Sequence, residues 1–230
     1  MNNGSLGVED FVEWDVRNWS VALDFWVRNS GLDLTTCSAL EIGSRHGGLS
    51  LWLATQGARV VCTDVNGPSD VARERHRESG LSHRIGYRPV DATDIPFADA
   101  FDLVLFKSVL GAVGARRGRE AQARAIAEMH KALKSGGELF FAENLVGSPL
   151  HSYLRRRFVR WGRTWRYVSV PEMLGFLKDF SSVRYRTVGF AGALGRGRRQ
   201  RNALGSLDRM LLDRLVPERW RYIMVGVARK

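Results

Sequence analysis

The chain has 230 residues, 44% of them hydrophobic and 26% charged, and a formal net charge of +11. That length suits one large domain with a full core. The opening MNNGSLGVED lacks the basic and apolar regions of a signal peptide, and no apolar run is long enough to span a bilayer, so a cytoplasmic protein is expected.

Two cysteines, Cys37 and Cys62, form no C-x-x-C pair, which points to a reducing compartment and to no metal site. The charge is unevenly placed. Leu150 to Arg201 holds 13 Arg and Lys against two acids, Glu172 and Asp179, while the remainder is neutral. Such a segment either meets something anionic (a phosphorylated substrate, a membrane surface, a nucleic acid) or is a solvated basic face.

Residues 8–29 repeat apolar positions at helical spacing and predict one helix, stopped at Ser30–Gly31. Its tryptophans Trp14, Trp19 and Trp26 either cover a ligand or dock the helix on the body. Ala39 to Ile42 is a short strand, followed by a turn with Gly43, Gly47 and Gly48, a helix ending near Gly57, and a strand over Arg59–Cys62 that closes on Asp64. Strand, glycine turn, helix, strand and acid form a nucleotide-binding βαβ unit, with the acid placed for ribose hydroxyls. Pro68 to Gly80 is a polar helix, and Ile85 to Val90 is a third strand ending at Asp91. Phe101 to Phe106 is an apolar fourth strand, suited to burial on both faces. A helix over Glu120–Leu133 ends at Ser135–Gly136–Gly137, before a fifth strand over Glu138–Ala142.

Leu150 to Trp165 reads as a helix with Leu150, Leu154, Phe158, Trp161 and Trp165 on one stripe and arginines on the rest. Ser169, Pro171 and Glu172 start another helix, to about Phe180. Val183 to Phe190 alternates like a strand, Gly192 to Gly205 is a Gly/Arg-rich loop, Ala203 to Leu215 is a helix, and Trp220 to Ala228 is the last strand. The expected fold is α/β: a Rossmann-like doubly wound sheet of seven strands, helices on both faces. It forms a single domain with an N-terminal helical lid (1–36), a cofactor core (37–146) and a basic acceptor segment with the last two strands (147–230).

In order and spacing, Glu41-x-Gly43-x-x-x-Gly47, Asp64, Asp91–Ala92, Phe101–Asp102–Leu103–Val104 and Leu133–Lys134–Ser135–Gly136–Gly137 resemble class I S-adenosylmethionine-dependent methyltransferases. The likeness covers roughly residues 37–146, and the terminal strand pair fits the family's antiparallel seventh strand. It implies S-adenosylmethionine as cofactor. Gly43 and Gly47 would line its methionine part, with Glu41, Arg45, Val65 and Trp19 also at the cofactor. Asp64 would hold the ribose, Asp91 and Ala92 would meet the adenine, and Phe106 and Lys107 would border the methyl donor. Arg45 stands where the family usually has glycine; it either clamps the methionine carboxylate or turns outward.

A nicotinamide dehydrogenase would want G-x-G-x-x-G after strand one, which this chain lacks. A methyltransferase-like domain that binds cofactor without catalysis is the other alternative. An alcohol acceptor benefits from a general base, for which His46, Glu143 and His151 are candidates. The strand-four ending Phe106–Lys107–Ser108–Val109 argues against DNA-base methylation. RNA is a further acceptor, through arginines interleaved with aromatics. The leading expectation is O-methylation of an anionic sugar or a polysaccharide or glycolipid precursor, held by Arg155, Arg156 and Arg160. The looser part of the resemblance is to bacterial enzymes that modify surface-polysaccharide precursors. Peripheral membrane contact through 150–166 accompanies that expectation.

Overall fold

A computed structural model describes residues 6–158 and 164–230. Seven strands form one sheet: β1 (Ser38–Ile42), β2 (Arg59–Asp64), β3 (Ile85–Pro89), β4 (Phe101–Lys107), β5 (Leu133–Asn144), β6 (Ser182–Val188) and β7 (Ile223–Arg229). Their order is β3-β2-β1-β4-β5-β7-β6. β7 runs antiparallel to both neighbours, and the other pairings are parallel. The chain winds outward from β1 to β3, then returns to the other side of β1 with β4. That reversal opens a crevice at the carboxyl ends of β1 and β4, where ligands bind in open α/β sheets.

The inner strands β1, β4, β5 and β7 are apolar because both faces are covered, whereas the edge strands β3 and β6 are partly exposed. Along β4, Leu103 and Leu105 join one core while Val104 and Phe106 join the other, as the two-residue strand period requires. Trp26 anchors the first core. It is fully buried, stacks on Phe140 at 5.6 Å, and donates its indole N–H to the Gly226 carbonyl at 3.1 Å. Trp26 therefore docks its helix on the sheet.

The continuous helix expected over 8–29 is broken into α1 (Val8–Phe11), α2 (Val16–Trp19) and α3 (Val21–Asn29). Trp14 and Asp15 take left-handed φ angles of 54° and 46° between the first two. A buried network fixes that break. Tyr222 donates its hydroxyl to Asp15, and the Asn18 amide donates to Asp15 at 3.2 Å and to Asp208 at 2.9 Å.

Helix α4 (Gly48–Thr55) follows β1, and α5 (Asp70–Glu78) follows β2, starting two residues after the expected Pro68 because Ser69 caps it. Helix α6 (Leu110–Ala132) starts ten residues before the expected helix, with a break at Gly118, φ 80°. β5 starts at Leu133, not Glu138, and absorbs Gly136 through a register shift against β4. The expected loop over 192–205 is partly helical: α9 (Arg198–Leu207) runs into a wide π turn over Asp208–Leu212 and α10 (Asp213–Leu215). Gly205 is buried there because α9 passes close to Arg17, where a Cβ would lie 2.8 Å from the Arg17 side chain.

In helix α7 (Pro149–Phe158) the apolar stripe, which the sequence allowed to face either the core or a membrane, is turned outward. Its buried residues are His151 and Arg155, whereas Leu150, Tyr153 and Phe158 face solvent. The predicted apolar stripe is thus not the inward face. Trp161 of that stripe lies outside the described residues. Helix α8 (Val170–Phe176) then leads to β6.

Three buried carboxyl groups weigh most in the pH dependence of stability, against His76, His130 and His151, which burial lowers. Burial is the main cause in each case: Asp15 is raised from 3.8 to about 6, and Glu41 and Glu143 from 4.5 to about 7. A raised value means that the fold retains a proton the unfolded chain releases. That stability is fully present below the unfolded values and is lost as pH rises through about 6 to 7. Asp102 works oppositely. Burial acts to raise it, but hydrogen bonds from Lys134 and Ser38 outweigh burial and hold it at about 2. Its contribution is present above 3.8 and fades as pH falls towards about 2. Calorimetric Tm is therefore expected to be higher at about pH 5 than at about pH 8. A Tm that climbs across that interval overturns the assignment.

Candidate active site

The crevice is a cavity of about 630 Å³, within the range of small-molecule sites. Its first half is built on β1 to β3. Gly43 has φ 70°, and a Cβ there would lie 2.5 Å from Val109, so the turn is open to glycine alone. Ser44, Arg45 and His46 continue the wall, with Asp64 and Val65 after β2 and Asp91, Ala92 and Thr93 after β3. Asp64 accepts the Arg45 backbone N–H at 3.0 Å and the Val65 N–H at 2.8 Å, so one carboxylate ties two loops together. Asp91 accepts from Thr93 at 2.9 and 2.8 Å and pairs with Arg117 at 2.9 Å. Burial acts to raise Asp91, but these hydrogen bonds and the Arg117 charge outweigh it and lower the group.

Arg45 occupies the left-handed region, φ 51°, the conformation that favours glycine. Its side chain is 74% exposed and leans towards Glu13, 3.8 Å away. Of the two orientations open from sequence, the outward one is observed. Glu13 is the hub of the rim, accepting from His46 Nδ1 at 2.8 Å and Arg75 at 3.3 Å. Burial acts to raise Glu13, but the His46 hydrogen bond and the neighbouring cations lower it.

The second half lies against β4, β5 and the lid. Lys107 ends β4 and places its ammonium 4.4 Å from the centre of the Trp19 ring. Burial lowers it from 10.5 to about 8. Ser108 beside it has φ 59° and accepts from the Asn144 amide at 2.5 Å. Left-handed non-glycine residues of this kind gather at functional sites. Trp14, Trp19, Trp165 and Arg116 complete this half.

Two groups at the cavity wall are buried and find no hydrogen-bond partner among the described residues: the Ser44 hydroxyl and the Trp19 indole N–H. Groups of this kind are normally satisfied. With the glycine cradle, they fit a polar ligand spanning both halves.

Glu41, Gly43, Arg45, Asp64, Val65, Asp91, Ala92, Lys107, Trp19 and His46 all line this cavity. Glu41, however, turns its carboxylate into α4, where it accepts the Ser50 backbone N–H at 2.9 Å and the Ser50 hydroxyl. Gly47 sits behind the wall as the left-handed N-cap of α4, and Phe106 is fully buried in the core.

Several expected roles are not supported. Glu143 is fully buried beneath the wall, accepting from the Val109, Leu110 and Asn144 N–H groups, so it caps the start of α6 and is not a general base. His151 has both ring nitrogens engaged, with Ser148 Oγ at 2.7 Å and the Phe190 carbonyl at 2.7 Å, away from the cavity. Arg155 is buried, donates to the Leu145 and Val146 carbonyls at 2.7 and 3.2 Å, and stacks over Tyr167. It ties α7 to the end of β5 and is not free to bind acceptor. Arg156 is exposed on α7 and is not part of the cavity wall, and Arg160 lies outside the described residues. Glu13, Ser44, Arg116, Asn144 and Trp165 were not singled out for these places. Only the glycine loop around Ser44 carried a local signal.

Comparison with known proteins matches residues 40–141 to a family described as a methyltransferase domain. Demethylmenaquinone methyltransferase of Bacteroides fragilis is 32% identical over 132 residues, covering 56% of this chain and 49% of that protein. The chain spans about half the length of that curated relative. Among solved structures, Haemonchus contortus phosphoethanolamine N-methyltransferase 2 superposes with a TM-score of 0.64 at 18% identity, over 92% of this chain and 52% of that one. A Mesorhizobium loti S-adenosylmethionine-dependent methyltransferase gives 0.61 at 20% identity, over 97% and 98%. At those identities the likeness is one of fold. Residues 40–141 thus match a methyltransferase domain, and the seven-stranded fold is the one these methyltransferase structures share.

Proposed function

We propose that this protein moves a methyl group from S-adenosylmethionine to a hydroxyl of a small, ring-bearing acceptor with anionic character. The observation that carries this reading is the division of the cavity. One half offers a glycine cradle, two strand-end carboxylates and the unpartnered Ser44 hydroxyl. The other offers Trp14, Trp19 and Trp165 beside Lys107 and Arg116.

In this reading Asp64 holds the cofactor's ribose hydroxyls, Asp91 and Ala92 border its adenine, and Gly43 with Ser44 meets its amino-acid tail. The bound cofactor supplies a methyl group on an already activated sulfonium, so the chain's work is positioning, exclusion of water and proton removal. Lys107 is the group best placed for the proton. Its amine faces the cavity, and burial brings it near the pH at which a neutral fraction is available. Lys107 Nζ would take the proton that the acceptor hydroxyl loses on methylation. Trp14 and Trp19 close over the site, and the Asn144 amide and Ser108 border the acceptor.

Aromatic walls suit the face of a sugar or of a conjugated ring, and Arg116 favours a negative group on it. A phosphorylated or lipid-linked sugar fits that description. So does an acidic aromatic hydroxyl. The test is calorimetric titration with S-adenosylhomocysteine, then a labelled-methyl screen over sugar phosphates, nucleotide sugars and acidic phenols. Binding and transfer to an anionic ring hydroxyl are expected. Absence of binding overturns the site, and transfer confined to neutral amines overturns the acceptor.

A further inference from the structure

The stretch from α9 through α10 to Trp220 is amphipathic in the inverted sense. Its acids face inward: Asp208 is fully buried and accepts the Ala191 and Gly192 N–H groups at 2.7 and 2.8 Å, and Asp213 accepts the Gly189 N–H at 2.8 Å. Its apolar residues face water. Met210 is 69% exposed and Leu215 68%, with Leu207, Leu211 and Trp220 also open. Arg209, Arg214 and Arg219 are exposed between them, and Glu218 is the acid exposed among them. Positions 207, 211 and 215 recur at helical spacing, so they form a line and not a scatter.

Scattered exposed apolar residues need no explanation, but a run of five within one short stretch does. We propose that this face is a docking surface for an anionic lipid bilayer. Large apolar side chains that enter the interface, flanked by arginines for the headgroups, are what such a surface requires. Charge argues against a second copy of the chain. Apposing this patch to itself would bring three arginines against three. No helix among the described residues is long and apolar enough to cross a membrane, so the contact is peripheral. The surface is distinct from the α7 segment singled out from sequence and does not depend on the reading of the cavity.

The test is sedimentation of the full chain with vesicles of phosphatidylcholine alone or containing phosphatidylglycerol, at low and high salt. Binding is expected to the anionic vesicles and to weaken with salt. Arg209→Gln, Arg214→Gln and Arg219→Gln combined should lower partitioning by about a hundredfold. Met210→Ser, Leu211→Ser and Leu215→Ser combined should abolish binding with an unchanged circular dichroism spectrum, since all three side chains are exposed. No binding to anionic vesicles, or loss of binding only when Leu150 and Tyr153 of α7 are replaced, overturns the proposal. A concentration-dependent dimer that the serine variant dissolves also overturns it, in favour of self-association.

Discussion

Replacing Lys107 with methionine is expected to lower kcat by about two to four orders of magnitude, the usual contribution of a positioned acid–base group. Affinity for S-adenosylhomocysteine should stay within about threefold, because the donor half of the cavity keeps its partners. Methionine retains most of the volume against Trp19, so collapse of the lid is not the cause. The pH profile gives the sharper reading. Only the neutral amine accepts a proton, and burial has brought Lys107 down to about 8. The wild-type rate should rise with pH and level off above about 8. Lys107→Arg stays charged throughout and should be as slow as the methionine variant, with no such rise. An arginine variant that keeps wild-type turnover removes Lys107 from proton transfer.

The second large effect is expected at Asp64. Asp64→Ala should weaken S-adenosylhomocysteine binding by about a hundredfold, the loss of two hydrogen bonds to a charged acceptor. The carboxylate also accepts the Arg45 and Val65 N–H groups, so the variant loosens the loops on either side. Asp64→Asn keeps one oxygen and should lie between the two. Turnover at saturating cofactor should change far less than affinity, since Asp64 stands at β2 while the acceptor half is at β4 and β5. Titration calorimetry on the three proteins checks this. Equal affinities for wild type and Asp64→Ala would place the cofactor elsewhere in the crevice.

The parts of the site that could be read from sequence are those set by local backbone needs. Gly43 marks a turn closed to side chains, and Asp64, Asp91 and Lys107 each stand at or just past the end of a short apolar strand. The parts that could not be read depend on partners far along the chain. Nothing near Glu13 announces that it gathers Arg45, His46 and Arg75. Glu143 looks like a strand-end base until the N-terminus of α6 is seen resting on it. Periodicity was right that α7 is a helix but did not say which side faces in. The Leu145 and Val146 carbonyls and the Tyr167 ring make Arg155 the better inward residue. The glycines of 192–205 suggested a loop, whereas Gly205 serves close helix contact.

The network of Asp15, Asn18, Asp208 and Tyr222 has a consequence for traffic. Trp19 roofs the cavity, but the residue before it is bolted to Asp208 in the π turn after α9 and to Tyr222 just before β7. Swinging that roof away would break the buried Asn18 bonds to Asp208 and Tyr222, a penalty of about 1 to 3 kcal/mol for each group left unsatisfied. Entry and departure are then expected at another margin, such as the one lined by Arg116 and Trp165. If the proposed transfer holds, the roof is expected to stay shut through turnover, leaving access to Lys107 to that margin.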